Sequence, residues 1–289
     1  MILFRTIAEM REHIALARGH RLTIGLVPTM GALHEGHGAL MRRAREETGY
    51  VVVTIFVNPT QFNRPDDFEK YPRDLATDLA FCERLGVDAV FSPDAKEMYP
   101  AGLHQETPVA SVEVAGVSSR LEGEFRPGHF RGVATVVAKL FNIVPADRAY
   151  FGEKDAQQLA VIQKMVTDLN FPVTIVPVPT VREPDGLAIS SRNQCLTPDQ
   201  RRIAPALYKA LCEAAKSIRG GDDTASATRA GLRALAAMPE IRVEYLEVVD
   251  PATFQPIAQD DQNIGDVRIV AAVWLGDVRL IDNLPVSIR

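Results

Sequence analysis

The stretch Thr23-Ile-Gly-Leu-Val-Pro-Thr-Met-Gly-Ala-Leu-His-Glu-Gly-His37 decides the fold. An apolar run stops at Pro28. A turn of small residues comes next, and then His34 and His37, spaced by Glu35 and Gly36. The run predicts a buried strand over residues 22–27, and the residues after Gly36 predict a helix over 38–47 that ends near Gly49. Two imidazoles therefore stand where a strand hands over to a helix, which in an α/β sheet is where ligands bind. A helix N-terminus there offers N–H groups and a positive dipole end to an anion. The pair reads as a phosphate site with two extra donors and points to a nucleotide enzyme. Capping or surface histidines and a metal pair are the competing readings. Zinc asks for further ligands at suitable spacing, and the other histidines are scattered.

Outward from this stretch, strand and helix patterns alternate. Residues 50–57 are a continuous β-branched and aromatic run, typical of a strand buried on both faces. A helix pattern over 74–85 closes at Gly86, and short strands are expected at 89–91 and 109–114. Val133, Val136, Val137, Leu140 and Ile143 give residues 130–143 one buried helical stripe. A strand at 149–151 runs into Gly152-Glu-Lys-Asp155, then a helix through Asp168 and a strand at 173–178. Such alternation predicts a parallel sheet with helices on both faces and right-handed crossovers.

The style changes after about Asn193. Thr197-Pro-Asp-Gln200 is a helix start with a capping box, and helices are expected at 198–218 and 223–237. Strands at 242–249, 267–274 and 278–281 come next, the last two joined in a hairpin through Leu275-Gly276-Asp277. This is a separate α+β unit, so the expected domains are 1–185 and 186–289.

Composition narrows the class. With 289 residues, 46% hydrophobic and 24% charged, the chain is long enough for two ordinary globular domains. A net charge of -5 argues against a general nucleic-acid binder. Cys82, Cys195 and Cys212 are odd in number and lack CxxC spacing, which fits a reducing cytoplasm better than a disulfide framework. No signal peptide and no membrane span are expected.

Four further motifs carry polar chemistry, each with a plainer reading beside it. Phe56-Val-Asn-Pro-Thr-Gln-Phe62 places Asn58 and Gln61 just past a strand, as ligands for hydroxyls and carboxylates or as turn residues. Glu122-Gly-Glu-Phe-Arg-Pro-Gly-His-Phe-Arg-Gly132 is a solvated loop or, through its arginines and His129, an anion site. In Phe151-Gly-Glu-Lys-Asp-Ala-Gln-Gln158, Lys154 can reach a phosphate and Asp155 can accept from ribose hydroxyls; the alternative is an exposed helix start. Ser190, Ser191 and Arg192 are a short loop or a clamp for β- and γ-phosphates.

Together these residues resemble the pantothenate synthetase family, the pantoate–β-alanine ligases, within the nucleotidylyltransferase superfamily related to class I aminoacyl-tRNA synthetases. The resemblance covers most of the chain and is densest at 28–37, 56–62, 71–73, 126–137, 151–158 and 179–193. It implies a Rossmann-like domain, a small C-terminal domain closing over ATP, a homodimer, and ATP- and Mg2+-dependent condensation of pantoate with β-alanine. Met30, Gly31, Ala32, Leu33, His34, Glu35, Gly36 and His37 would line the ATP site, with His37 as proton donor. Gly152, Glu153, Lys154 and Asp155 would hold ribose and phosphate, Val181 adenine, and Ile189, Ser190, Ser191 and Arg192 the polyphosphate. Gln61 and Gln158 would bind pantoate, Gln61 also β-alanine, with Asn58 and His129 as added contacts. Mg2+ would ride mainly on ATP phosphates, with Asp78 as a further ligand. Ile189, Gly38 and Cys195 depart from the family pattern: Met, a larger residue and an aromatic residue are usual there, and Gly38 is expected to loosen the helix start.

The expected chemistry is attack of the pantoate carboxylate on the α-phosphorus of ATP, then attack of β-alanine on the acyl adenylate. Rival readings are a nucleotidylyl transferase that keeps the nucleotide in its product, and a non-catalytic ATP sensor. An NAD oxidoreductase is disfavoured because the first turn lacks GxGxxG.

Overall fold

The apolar run after Thr23 is a strand near the middle of a six-stranded parallel sheet. The computed structural model describes residues 1–102, 110–257 and 265–287. In chain order through the sheet the elements are β1 (Ile2–Phe4), α1 (Ile7–Gly19), β2 (Ile24–Thr29), α2 (Glu35–Glu47), β3 (Tyr50–Ile55), α3 (Pro65–Lys70), α4 (Leu75–Arg84), β4 (Ala89–Phe91), α5 (Ala95–Met98), α6 (Glu122–Phe125), α7 (His129–Ile143), β5 (Arg148–Gly152), α8 (Ala156–Asp168) and β6 (Thr174–Val178). The chain divides into two compact units, Met1–Glu153 with Val161–Pro179, and Lys154–Ala160 with Thr180–Arg289.

In the first unit the strand order is β1-β4-β3-β2-β5-β6, all parallel. β3 and β4 step to one side of β2, and β5 and β6 to the other. The order thus reverses between β2 and β5, and ligands of open α/β sheets bind beyond the carboxyl ends of strands at such a point. Val51, Val52 and Val53 of β3 are all buried, so both faces of the sheet are covered. On one face Leu40, Met41 and Ala44 of α2 pack with Val51, Val53 and, from α4, Cys82. α1 packs against α7, and its Met10, Ile14 and Ala17 are buried.

The second unit continues with α9 (Pro198–Ile203), α10 (Ala206–Arg219), α11 (Thr224–Ala236), β7 (Ile241–Val249), β8 (Val267–Leu275) and β9 (Val278–Val286). The three strands form an antiparallel sheet in the order β7-β8-β9. Leu207, Leu211, Ala214 and Ile218 of α10 share a core with Ile269, Ala271 and Val273 of β8. Gly276 sits in the left-handed region, φ 57°, and turns β8 into β9 as the hairpin reading expects.

Three expectations need correction. Residues 110–114 form no strand: the Val112 N–H donates to the Thr135 hydroxyl (2.9 Å) instead of a neighbouring strand, and Val109 lies outside the described residues. The helix expected at 198–218 is broken, because Pro205 has no N–H to continue the ladder. α2 starts at Glu35 rather than Gly38, since His34 itself is the cap. Among the described residues no helix is long and apolar enough to cross a membrane.

Candidate active site

Beyond the end of β2 the backbone makes a tight turn in which Gly31 and Ala32 both have positive φ, 79° and 49°. Ala32 carries a Cβ, so this conformation requires outside support. Two residues supply it. Thr29 donates its hydroxyl to the Thr54 carbonyl (2.6 Å) and accepts from the Gly31 N–H (3.2 Å). Asp78 of α4, buried, accepts from the N–H groups of Ala32 (3.0 Å) and Leu33 (2.8 Å), one on each carboxylate oxygen. Burial pushes the Asp78 carboxyl above the usual range, and the two N–H bonds oppose that shift.

The turn delivers His34 to the N-cap of α2. His34 Nδ1 accepts from the Gly36 N–H (3.1 Å), and His37 Nδ1 accepts from the His34 N–H (3.3 Å), a capping box built from two imidazoles. An accepting Nδ1 leaves the proton of each neutral ring on Nε2. The ring centroids are 4.1 Å apart. The structure thus merges the capping and functional readings: one nitrogen of each ring holds the helix end, and the other carries a donor. Glu35 pairs with Arg42 (2.6 Å) along the helix flank. Gly38 lies one turn inside this capped start. It leaves space for Phe81, whose ring would lie 3.2 Å from an added Cβ.

Past β3, a 3-10 turn over Pro59–Gln61 carries the amides. Asn58 and Gln61 are both buried. Asn58 Oδ1 accepts from the Tyr99 hydroxyl (2.8 Å), and its Nδ2 donates to Gln61 Oε1 (3.0 Å) and the Gly132 carbonyl (3.2 Å). With its oxygen so engaged, Gln61 turns its Nε2 donor to the Met30 sulfur (3.0 Å). His129 holds the same turn from the other side, donating Nδ1–H to the Gln61 carbonyl (2.9 Å) while Nε2 faces Arg126 (3.1 Å). Within the first unit the structure therefore joins Met30 to Gln61, and Gln61 to Asn58 and His129. Gly152 ends β5 and Glu153 comes directly after it.

The remaining candidates belong to the second unit. Lys154 Nζ lies 3.8 Å from Asp155, and Gln158 is half-buried on α8. The Ile189 N–H donates to the Val181 carbonyl (3.0 Å), closing a hairpin bridged at Arg182 and Ala188. Ser190 caps a 3-10 turn over Ser191–Cys195 and accepts from the Arg192 N–H (3.3 Å).

Asp78, Tyr99 and Gly132 act on the site through hydrogen bonds and close approach, and sequence reading did not assign them these parts. Only the Asp78 position carried any signal, as an acid on the buried side of a helix. No group of three or more His, Cys, Asp or Glu among the described residues could hold a metal ion.

A histidine-capped helix at the reversal point of a parallel sheet, with polar amides past the next strand, defines an α/β enzyme of the nucleotide-binding kind. Residues 2–285 match the family model described as pantoate-beta-alanine ligase. The chain is 50% identical over 290 residues to the pantothenate synthetase of Moorella thermoacetica, covering 100% of both. It superposes on the crystal structure of pantothenate synthetase from Thermus thermophilus with TM-score 0.91 and 48% identity, over 98% of this chain and 99% of that one. The pantoate-beta-alanine ligase from Francisella tularensis, complexed with beta-gamma ATP and beta-alanine, matches with TM-score 0.77 and 35% identity, over 98% and 97% of the chains. The chain belongs to the pantoate–β-alanine ligase family, the carbon–nitrogen ligases of pantothenate biosynthesis.

Proposed function

We propose that this chain binds ATP, pantoate and β-alanine and joins pantoate to β-alanine in two steps at the expense of ATP. A carboxylate does not acylate an amine unaided, because its oxygen is a poor leaving group. The pantoate carboxylate attacks the α-phosphorus, and the bond to the β-phosphate oxygen breaks, releasing pyrophosphate. The β-alanine amine then attacks the acyl carbon. The C–N bond forms, the bond to AMP breaks, and the amine gives up a proton.

The observation that carries this reading is the pair of capping bonds in which Nδ1 of His34 and of His37 each accepts a backbone N–H, an arrangement that in a neutral ring leaves the proton on Nε2. Donors fixed before reaction stabilise charge as it develops on the leaving pyrophosphate. In the first unit Met30, Gly31, Ala32, Leu33, Glu35 and Gly36, with Gly152 and Glu153, are nucleotide ligands; in the second, Lys154, Ser190, Ser191 and Arg192 are phosphate ligands, Asp155 is a ribose ligand, and Val181 and Ile189 present backbone. Gln61, with its donor edge fixed by Asn58 and its carbonyl held by His129, is a pantoate ligand in the first unit, and Gln158 is one in the second. Much of the rate comes from positioning, since no protein nucleophile is required. Mg2+ would come with ATP and be held mainly by its phosphate oxygens, where it would neutralise charge on the polyphosphate. Both Asp78 oxygens already accept backbone N–H groups, which supports a structural part for this side chain rather than metal ligation.

Residues 1–185 are the catalytic domain in this reading, 186–289 a closure domain, and the working form a cytoplasmic homodimer. The test is isotope exchange of pyrophosphate into ATP. Exchange is expected to depend on pantoate, to proceed without β-alanine, and to slow by about 10²-fold in His37→Ala, the loss of one charge-stabilising donor. Exchange that requires β-alanine would overturn the two-step scheme, and unchanged exchange in the variant would remove His37 from it.

A further inference from the structure

The last strand ends far along the sequence from the motifs of the candidate site, yet two of its side chains reach the phosphate-binding segments. Asp282 and Asn283 of β9 are both buried. Asp282 takes Arg182 in a bidentate pair, Nη1 at 2.6 Å and Nη2 at 2.9 Å. Arg182 also donates to the carbonyls of Gly186 (3.1 Å) and Asn283 (3.2 Å), and its guanidinium lies 3.9 Å from the centre of the Tyr208 ring. Gly186 has φ 95°, and a Cβ there would lie 2.4 Å from the same ring. The hairpin that begins at Val181 and ends at Ile189 is therefore clamped across its middle. Asn283 acts on a different segment. Its Nδ2 donates to the carbonyl of Lys154 (2.9 Å), while its Oδ1 accepts from Arg268.

We infer that Asp282 and Asn283 are positioning residues for the polyphosphate-binding segments, Asn283 acting on Lys154 and Asp282, through Arg182, on the Val181–Ile189 hairpin that leads into Ser190–Arg192. The inference rests on the reading of Lys154 and Ser190–Arg192 as phosphate ligands. A buried ion pair is a poor way to gain stability, because apolar residues of the same volume often serve as well. What a bidentate pair adds is direction, and here the direction is given to the two segments that carry the phosphate donors. Fixing the Lys154 backbone limits where its ammonium can travel, so less freedom is lost when nucleotide binds.

The test is Asn283→Asp, which keeps size and the Arg268 contact but removes the donor to Lys154. A carboxylate oxygen then faces a carbonyl oxygen. The expected result is a loss of about tenfold to hundredfold in kcat/KM for ATP, the effect of leaving a buried carbonyl without its donor. KM for pantoate should stay within about twofold. In a Lys154→Ala background the same change should add almost nothing, because the two act as one unit. Should the variant be less stable, the rise in melting temperature produced by ATP on its folded fraction still reads the site, and it should shrink. Wild-type ATP kinetics in Asn283→Asp, with Lys154→Ala inactive, would overturn the inference and leave the role of Lys154 intact. Full activity in Lys154→Ala would overturn the reading beneath it. Equal losses for ATP and pantoate, additive with Lys154→Ala, would make Asn283 structural only.

Discussion

Asp78 accounts for why an alanine can sit in the left-handed region in the turn beyond β2. Its two oxygens accept two consecutive backbone N–H groups, at Ala32 and Leu33. Asparagine can offer only one acceptor there, and its NH2 would face a donor. The lost bond costs about 1–3 kcal/mol. Removing a carboxylate whose ionisation burial disfavours offsets part of that loss. Asp78→Asn should therefore change the melting temperature by only a few degrees while it relaxes the turn. The turn frames the ATP site in the proposed mechanism, so KM for ATP should rise by about fivefold or more and KM for pantoate far less. Steady-state kinetics with each substrate varied in turn decides this, and an unchanged KM for ATP would show that the turn holds without the carboxylate.

At the scale of elements, α7 and the 3-10 turn at Pro59–Gln61 are built as one piece. Gly132 lets the helix backbone approach so closely that a Cβ there would lie 2.4 Å from the Thr60 carbonyl oxygen and 2.7 Å from the Gln61 nitrogen. Alanine favours a helix over glycine by about 1 kcal/mol, but displacing backbone costs typically 1–3 kcal/mol, so the clash prevails. Gly132→Ala should lower stability and push the Gln61 amide out of line, raising KM for pantoate about tenfold with a smaller change for ATP. Equal effects on both substrates would mean that the turn is not the part that moves. Elements of this kind also mark what a sequence can tell. β3 and α7 were legible because burial wrote its period into Val51–Val53 and into Val133, Val136, Val137 and Leu140. α1 carries a capping box at Thr6 and Glu9, a signal as legible as the one at Thr197 and Gln200. The run before Val114 has β-branched residues without a neighbouring strand to pair with, and periodicity alone does not separate the two cases. The site divides in the same way. Residues contiguous in motifs, such as His34 and His37 or Asn58 and Gln61, are legible as candidates in the sequence. Their supports, Asp78, Tyr99, Gly132 and Asn283, come from distant segments, and their partners exist only once the chain has folded.

For the whole molecule, the parallel sheet fixes a pH limit as well as a site. Tyr50 begins β3, and its phenol is pushed up to about 12 by burial, with the Asp88 carboxylate adding to the effect. Tyr150 lies buried in β5, where burial and the Glu47 carboxylate, to which it donates at 3.1 Å, raise its phenol as well. An unfolded tyrosine ionises near pH 10. Below that value both phenols are protonated in either state, and their contribution to stability is fully present. Above it the unfolded chain releases its protons first, so stability falls as pH rises from about 10 through about 12. Each phenol can account for at most about 1.4 kcal/mol per pH unit, which matters against a total stability of about 5–15 kcal/mol. Urea midpoints should fall from pH 9 to 11, the Cys82 thiol, pushed up to about 12 by burial, contributing from about pH 9 and the phenols from about pH 10. Tyr150→Phe should be less stable at pH 9, having lost the bond to Glu47, yet show a shallower fall above pH 10. A flat midpoint from pH 9 to 11 in the parent chain would mean that these phenols ionise as readily in the folded sheet as in the unfolded chain.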